Sequence, residues 1–175
     1  MSGSIAALAI GALLVWLIAA SADPWRDWMA DPPQGPTHVG RAEVVHVSIL
    51  ARPRDVIAFL VDVHSWTTWA PWIRAVRRSS DRGWTLDTDV GSVVVRFVAT
   101  NALGVLDHEV TLSSGIRALN SMRVLANGSG SELIMVVFQS PEVSAEHFDR
   151  DVESVRDDVA RIKSICEAMA TAPVG

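Results

Sequence analysis

The chain has 175 residues, with 15 Lys and Arg against 20 Asp and Glu, a formal net charge of −5. Hydrophobic residues make up 49% and charged residues 20%, which excludes a disordered acidic chain and leaves no basic excess to neutralise nucleic-acid phosphates. The one cysteine, Cys166, excludes an intramolecular disulfide framework and a cysteine-rich metal centre.

From Ile5 to Ala22 the sequence reads IAALAIGALLVWLIAASA, without a charge. As a helix this run is about 27 Å long, near the ~30 Å hydrocarbon core of a bilayer, and it lacks the polar stripe of a surface helix. Two readings stand. Ala20-Ser21-Ala22 before Asp23 is a small-x-small signal-peptidase site, so residues 1–22 fit a secretory signal. The apolar run is also longer than a usual signal core, and Trp25 and Trp28 beside Arg26 suit the headgroup level of an uncleaved anchor. Either way the expectation is a membrane-directed protein, held by residues 5–22 or exported after cleavage near Ala22. Residues 23–42 follow as a linker. Its stretch DPPQGPTHVGRA (31–42) is too rich in Pro and Gly for a helix and reads as an extended tether.

A domain is expected over residues 43–170, with 171–175 as a tail. Glu43–Leu50 is β-branched and ends before Pro53, so it reads as a strand. Pro53 suits a first helical turn, and Val56, Phe59, Leu60 and Val63 follow at amphipathic helical spacing. A short helical turn over Ser65–Trp69 ends before Pro71. Six strand-like runs come next: Ile73–Arg78, Gly83–Asp87, Gly91–Thr100, Gly104–Ser113, Arg117–Ala126 and Glu132–Gln139. Their short polar connections predict an antiparallel meander.

The final segment is the strongest pattern. Phe148, Val152, Val155, Val159, Ile162, Cys166 and Met169 alternate spacings of four and three, with Ser144 as N-cap. The opposite face carries Glu146–Arg150 and Asp157–Arg161 pairs, four residues apart. A long helix with one apolar stripe must lie on the sheet, giving an α+β domain.

Particular residues sharpen this. Trp66-x-x-Trp69-x-Pro71-Trp72 follows the first helix, and Leu106-Asp107-His108-Glu109-Val110 lies mid-sheet. Met122-Arg123-Val124 precedes Asn127-Gly128-x-Gly130-Ser131-Glu132, and Gln139-Ser140-Pro141 leads to Phe148-Asp149-Arg150-Asp151. In this order they resemble the START-like or SRPBCC superfamily, and within it the bacterial polyketide cyclase/dehydratase-like members, from Glu43 to about Met169. The resemblance implies a helix-grip fold: a curved antiparallel sheet of about seven strands wrapped on the long C-terminal helix, with an apolar cavity between them. The superfamily includes lipid carriers, aromatic cyclases, oxygenase subunits and chaperone activators, so the likeness fixes a fold more than a function. The N-terminal hydrophobic helix is a departure from its usual single domain.

Trp66, Trp69 and Trp72 are candidates for a cavity wall, or alternatively a plug at one end of the core. His108 alternates with Leu106, Val110 and Leu112, which places these residues on the inner face. His108 there is a weak candidate general acid or base, against the alternative of a core histidine bonded to the backbone. Arg96 lies among valines on a strand apolar on both faces, so it is either a head-group anchor or a surface charge; Arg123 and Gln139 share that ambiguity. Cys166 falls on the apolar stripe and reads as a buried small hydrophobe. Asp149, Asp151, Glu153, Asp157 and Asp158 read as a solvated helix face. No zinc motif, phosphate loop or nucleophile elbow occurs, and no cofactor or metal is expected.

The expected function is binding or carriage of a hydrophobic small molecule: a lipid, a quinone or a polyketide-like compound. A cyclase or dehydratase acting in the same cavity and a structural accessory subunit are the alternatives. The strands Ser92–Val98 and Glu132–Gln139 are apolar on both faces, which suggests cover by a second copy, a protein partner or the membrane surface.

Overall fold

The structure is a computed structural model that describes residues 39–79, 83–89, 91–99, 101–115, 117–140 and 143–172. The apolar segment Ile5–Ala22, with its expected anchor or signal role, lies outside the described residues. Among the described residues no helix is long and apolar enough to cross a membrane.

β1 (Ala42–Ile49) is followed by α1 (Pro53–Val61), a 3-10 turn (Val63–Ser65) and α2 (Trp66–Trp69). Then come β2 (Ile73–Arg78), β3 (Trp84–Thr88), β4 (Gly91–Phe97), β5 (His108–Leu112), β6 (Arg117–Asn127) and β7 (Gly130–Phe138). α3 (Ala145–Thr171) closes the chain. The strands form one curved antiparallel sheet in the order β1-β7-β6-β5-β4-β3-β2. β2 to β7 therefore run as a meander, and β1 is brought beside β7 by the crossover through α1 and α2.

Local chemistry explains the element limits. Pro53 occupies the first turn of α1, where a missing N–H costs nothing. The Ser144 side chain caps α3 by accepting from the His147 N–H at 3.3 Å. Phe148, Val152, Val155, Val159, Ile162 and Cys166 are all buried against the sheet. Burial of each large apolar side chain in this stripe is worth ~1.5–3 kcal/mol. Arg41 pairs with Asp149 at 2.8 Å and lies over the Phe148 ring, which ties the start of β1 to the start of α3.

Four expectations change. The strand expected from Gly104 begins only at His108, because Gly104 has φ +70° and the Asp107 carboxylate accepts the Met122 N–H at 2.8 Å. Asn101 then caps the irregular stretch, donating to the Val105 carbonyl at 2.9 Å. Arg161 pairs with Asp158 at 2.8 Å rather than with Asp157. Asp158 is buried at 6% exposure, not part of a solvated face, because it sits three residues after Val155 and four before Ile162. Met169, the last residue of the expected stripe, is exposed.

On the sheet face turned away from α3, Val44, Leu125 and Phe138 are exposed, and Ile134 and Val136 are half-buried. The same face hides Glu109 under Arg117, whose Nε donates at 2.7 Å.

Candidate functional site

The sheet and α3 enclose a cavity of about 40 Å³. α2 and the turn after it supply Trp66, Trp69 and Trp72; β3 and β4 supply Leu86, Val93 and Val95. His108 and Val110 come from β5, Asn120 and Met122 from β6, and Met135 from β7. α3 adds Val155 and Asp158. The register explains this convergence: Val95 faces Val110, His108 faces Asn120, and Met122 faces Met135, all on the face toward α3. The cavity has room for about two or three water molecules. A larger guest must displace side chains, and Met122 and Met135 are the adaptable ones.

The polar groups in the lining are few. Trp66 donates its indole N–H to the Leu60 carbonyl at 2.9 Å and stacks edgewise on Phe97 and His108. His108 Nδ1 lies 3.0 Å from the Leu106 carbonyl, which can only accept, so Nδ1 carries the proton. Nε2 is then an acceptor and takes the Asn120 amide at 3.2 Å. Burial pushes the His108 pKa down to about 4, against the raising effects of the Leu106 carbonyl and Asp107. The imidazole is therefore neutral at pH 7, with both nitrogens engaged. Burial also pushes the Asp158 carboxyl up to about 6, opposed by the Trp72 indole and by Arg161. Trp72 points its N–H toward that carboxyl without a hydrogen bond of full geometry, and the Trp69 N–H has no partner.

Of the residues singled out from sequence, Trp66, Trp69, Trp72, His108 and Val110 line the cavity. Leu106 is buried in the core but does not reach it. Arg96 does not reach it either: it lies on the opposite face, 3.7 Å from Glu109, because it alternates with the inward Val95 and Phe97. Arg123 pairs with Asp107, and Gln139 donates to the Val143 carbonyl at 2.8 Å. Asp158 and Asn120 were missed. Asp158 was legible through its helical spacing from Val155 and Ile162; Asn120 needed the β5–β6 register. Among the described residues no group of three or more His, Cys, Asp and Glu could hold a metal ion.

No family model and no curated protein sequence matches this chain. Solved structures do. The Zhui aromatase/cyclase from a Streptomyces species matches with a TM-score of 0.60 at 13% identity, covering 77% of this chain and 98% of that one. A START superfamily protein from Mycobacterium smegmatis matches with a TM-score of 0.56 at 14% identity, covering 74% and 99%. The Aha1 dimer from Colwellia psychrerythraea matches with a TM-score of 0.57 at 9% identity, covering 75% and 97%. At these identities the likeness is one of fold. The domain has the helix-grip fold of START-like and polyketide cyclase-like proteins.

Proposed function

We propose that this chain binds or carries an apolar small molecule between its sheet and α3, and that residues 5–22 hold it at a membrane or direct its export. The observation that carries the reading is the cavity: an apolar lining with few polar groups, of the kind that buries and orients hydrophobic guests. The START superfamily and aromatase/cyclase likenesses support it by analogy of fold. His108, neutral and bonded through both nitrogens, serves as a wall residue rather than as a base. Titration with the fluorescent hydrocarbon amine N-phenyl-1-naphthylamine tests the reading. Saturable binding of one equivalent, lost in the cavity-filling variant Met135→Trp with the fold retained, is the expected result. Binding that is absent, or unchanged in that variant, contradicts it.

A second reading, a cyclase or dehydratase in the same cavity, is favoured by Asp158. A carboxyl among apolar side chains with a pKa of about 6 is suited to proton transfer near neutral pH. Under that reading Asp158→Asn lowers turnover of a bound substrate by roughly 100-fold or more and leaves its binding intact.

A further inference from the structure

We propose that the cavity selects neutral apolar molecules bearing a hydrogen-bond acceptor, such as a ketone or quinone carbonyl, and that the Trp69 indole N–H is the donor that recognises it. This rests on the cavity being a ligand site, as argued above.

The polar atoms of the lining can be followed one by one. Trp66 is satisfied by Leu60, and His108 by Leu106 and Asn120. Asp158 accepts from Arg161 and has the Trp72 indole beside it. The indoles of Trp72 and Trp69 both lack a hydrogen bond; Trp72 has the Asp158 carboxyl beside it, and Trp69 has no acceptor. Trp69 is 6% exposed, and its Nε1 is buried. Buried donors are almost always paired in folded proteins, so an unpaired one in a cavity wall marks a place where a guest supplies the acceptor. An indole nitrogen only donates, so the guest must accept.

The charge around the cavity narrows the class. Asp158 is the ionisable acid in the lining, and Arg161 is already engaged with it at 2.8 Å. Arg96, the expected anchor for a carboxylate or phosphate head group, lies on the other face of the sheet beside Glu109. An anionic guest would thus meet a carboxyl without a compensating cation, whereas a neutral carbonyl meets an N–H donor. Water is the competing partner, and a guest carbonyl must displace it.

Acetophenone and ethylbenzene are matched in shape and differ in the carbonyl, so they serve as the probes. The full-length protein, labelled with ¹⁵N, presents seven tryptophan indoles, and Trp69→Phe assigns the relevant signal. Free probe is measured in the vapour above each sample. The expected result is binding of acetophenone about tenfold tighter than ethylbenzene. Acetophenone also moves the Trp69 indole proton downfield, and the preference falls to within about twofold in Trp69→Phe. If Trp69→Phe does not fold, the Trp69 indole signal is assigned by backbone-to-side-chain connectivities in protein labelled with ¹³C and ¹⁵N, and the wild-type preference and indole shift decide. Equal affinities, an unmoved Trp69 signal or a preference that survives in Trp69→Phe overturns the donor assignment and leaves the ligand-site reading standing. Binding of neither probe overturns both.

Discussion

His108 and Asn120 are direct cross-strand neighbours on β5 and β6, and the Asn120 amide lies 3.2 Å from His108 Nε2. That contact completes a chain from the Leu106 carbonyl through the imidazole to the amide, and it fixes both the tautomer and the ring orientation. His108 thereby stands in the cavity wall with both ring nitrogens engaged. The group poised for protonation near neutral pH is instead Asp158 on α3.

The two groups push stability in opposite directions with pH. His108 titrates near pH 6.5 when unfolded and near 4 when folded, so the unfolded chain gains protons first and stability is lost as pH falls from 6.5 to 4. Asp158 titrates near 3.8 when unfolded and near 6 when folded, so stability is lost as pH rises through that window. Asp158→Asn should therefore gain about 1–2 kcal/mol relative to wild type between pH 4 and pH 7, a two-unit shift discounted for residual solvent contact. His108→Gln should gain relative to wild type as pH falls from 6.5 to 4. Urea denaturation at half-unit pH steps measures both slopes, and flat difference profiles would contradict the assignments.

Gly104 marks where the meander cannot follow a simple strand. Its φ is +70°, and a Cβ there would lie 2.0 Å from the Val124 carbonyl oxygen, while the Gly104 carbonyl accepts the Val124 N–H at 2.9 Å. Gly104→Ala should cost about 3 kcal/mol or more, because both backbone and neighbour must shift. Gly115, also at positive φ but with no atom within 4 Å of its would-be Cβ, should lose only about 1 kcal/mol on the same change. Comparable losses at the two sites, by thermal or urea unfolding, would contradict the steric account.

Cys166 is buried at 3% exposure, and burial pushes its thiol up to about 11. It should resist iodoacetamide at pH 8 in the folded protein and react once the chain is unfolded in urea. Rapid modification of the native protein would contradict its place against the sheet.

The fold was legible because its signals are periodic. The four-three spacing from Phe148 to Cys166 specified α3, and Pro53 with Val56, Phe59 and Leu60 specified α1. The tryptophans and His108 were legible as cavity residues because order along the chain and strand alternation place them there. Arg96 was not, since Val93, Val94, Val95, Phe97 and Val98 give both faces of β4 the same apolar character. Asn120 was not, because which residue faces His108 depends on the register set by the turn between Leu112 and Arg117, and turn length alone decides it. Asp158 was legible only through helical phase: Asp157 and Asp158 are adjacent in sequence, and the spacing from Val155 and Ile162 separates the buried one from the exposed one.

The measurement that tests the central claim most directly is native mass spectrometry of the full-length protein, taken gently from the cells that make it, followed by organic extraction. The account predicts up to one equivalent of a neutral apolar compound on the wild-type protein and none on Met135→Trp. A wild-type protein that arrives bare, or with a stoichiometric protein partner and no small molecule, would contradict it.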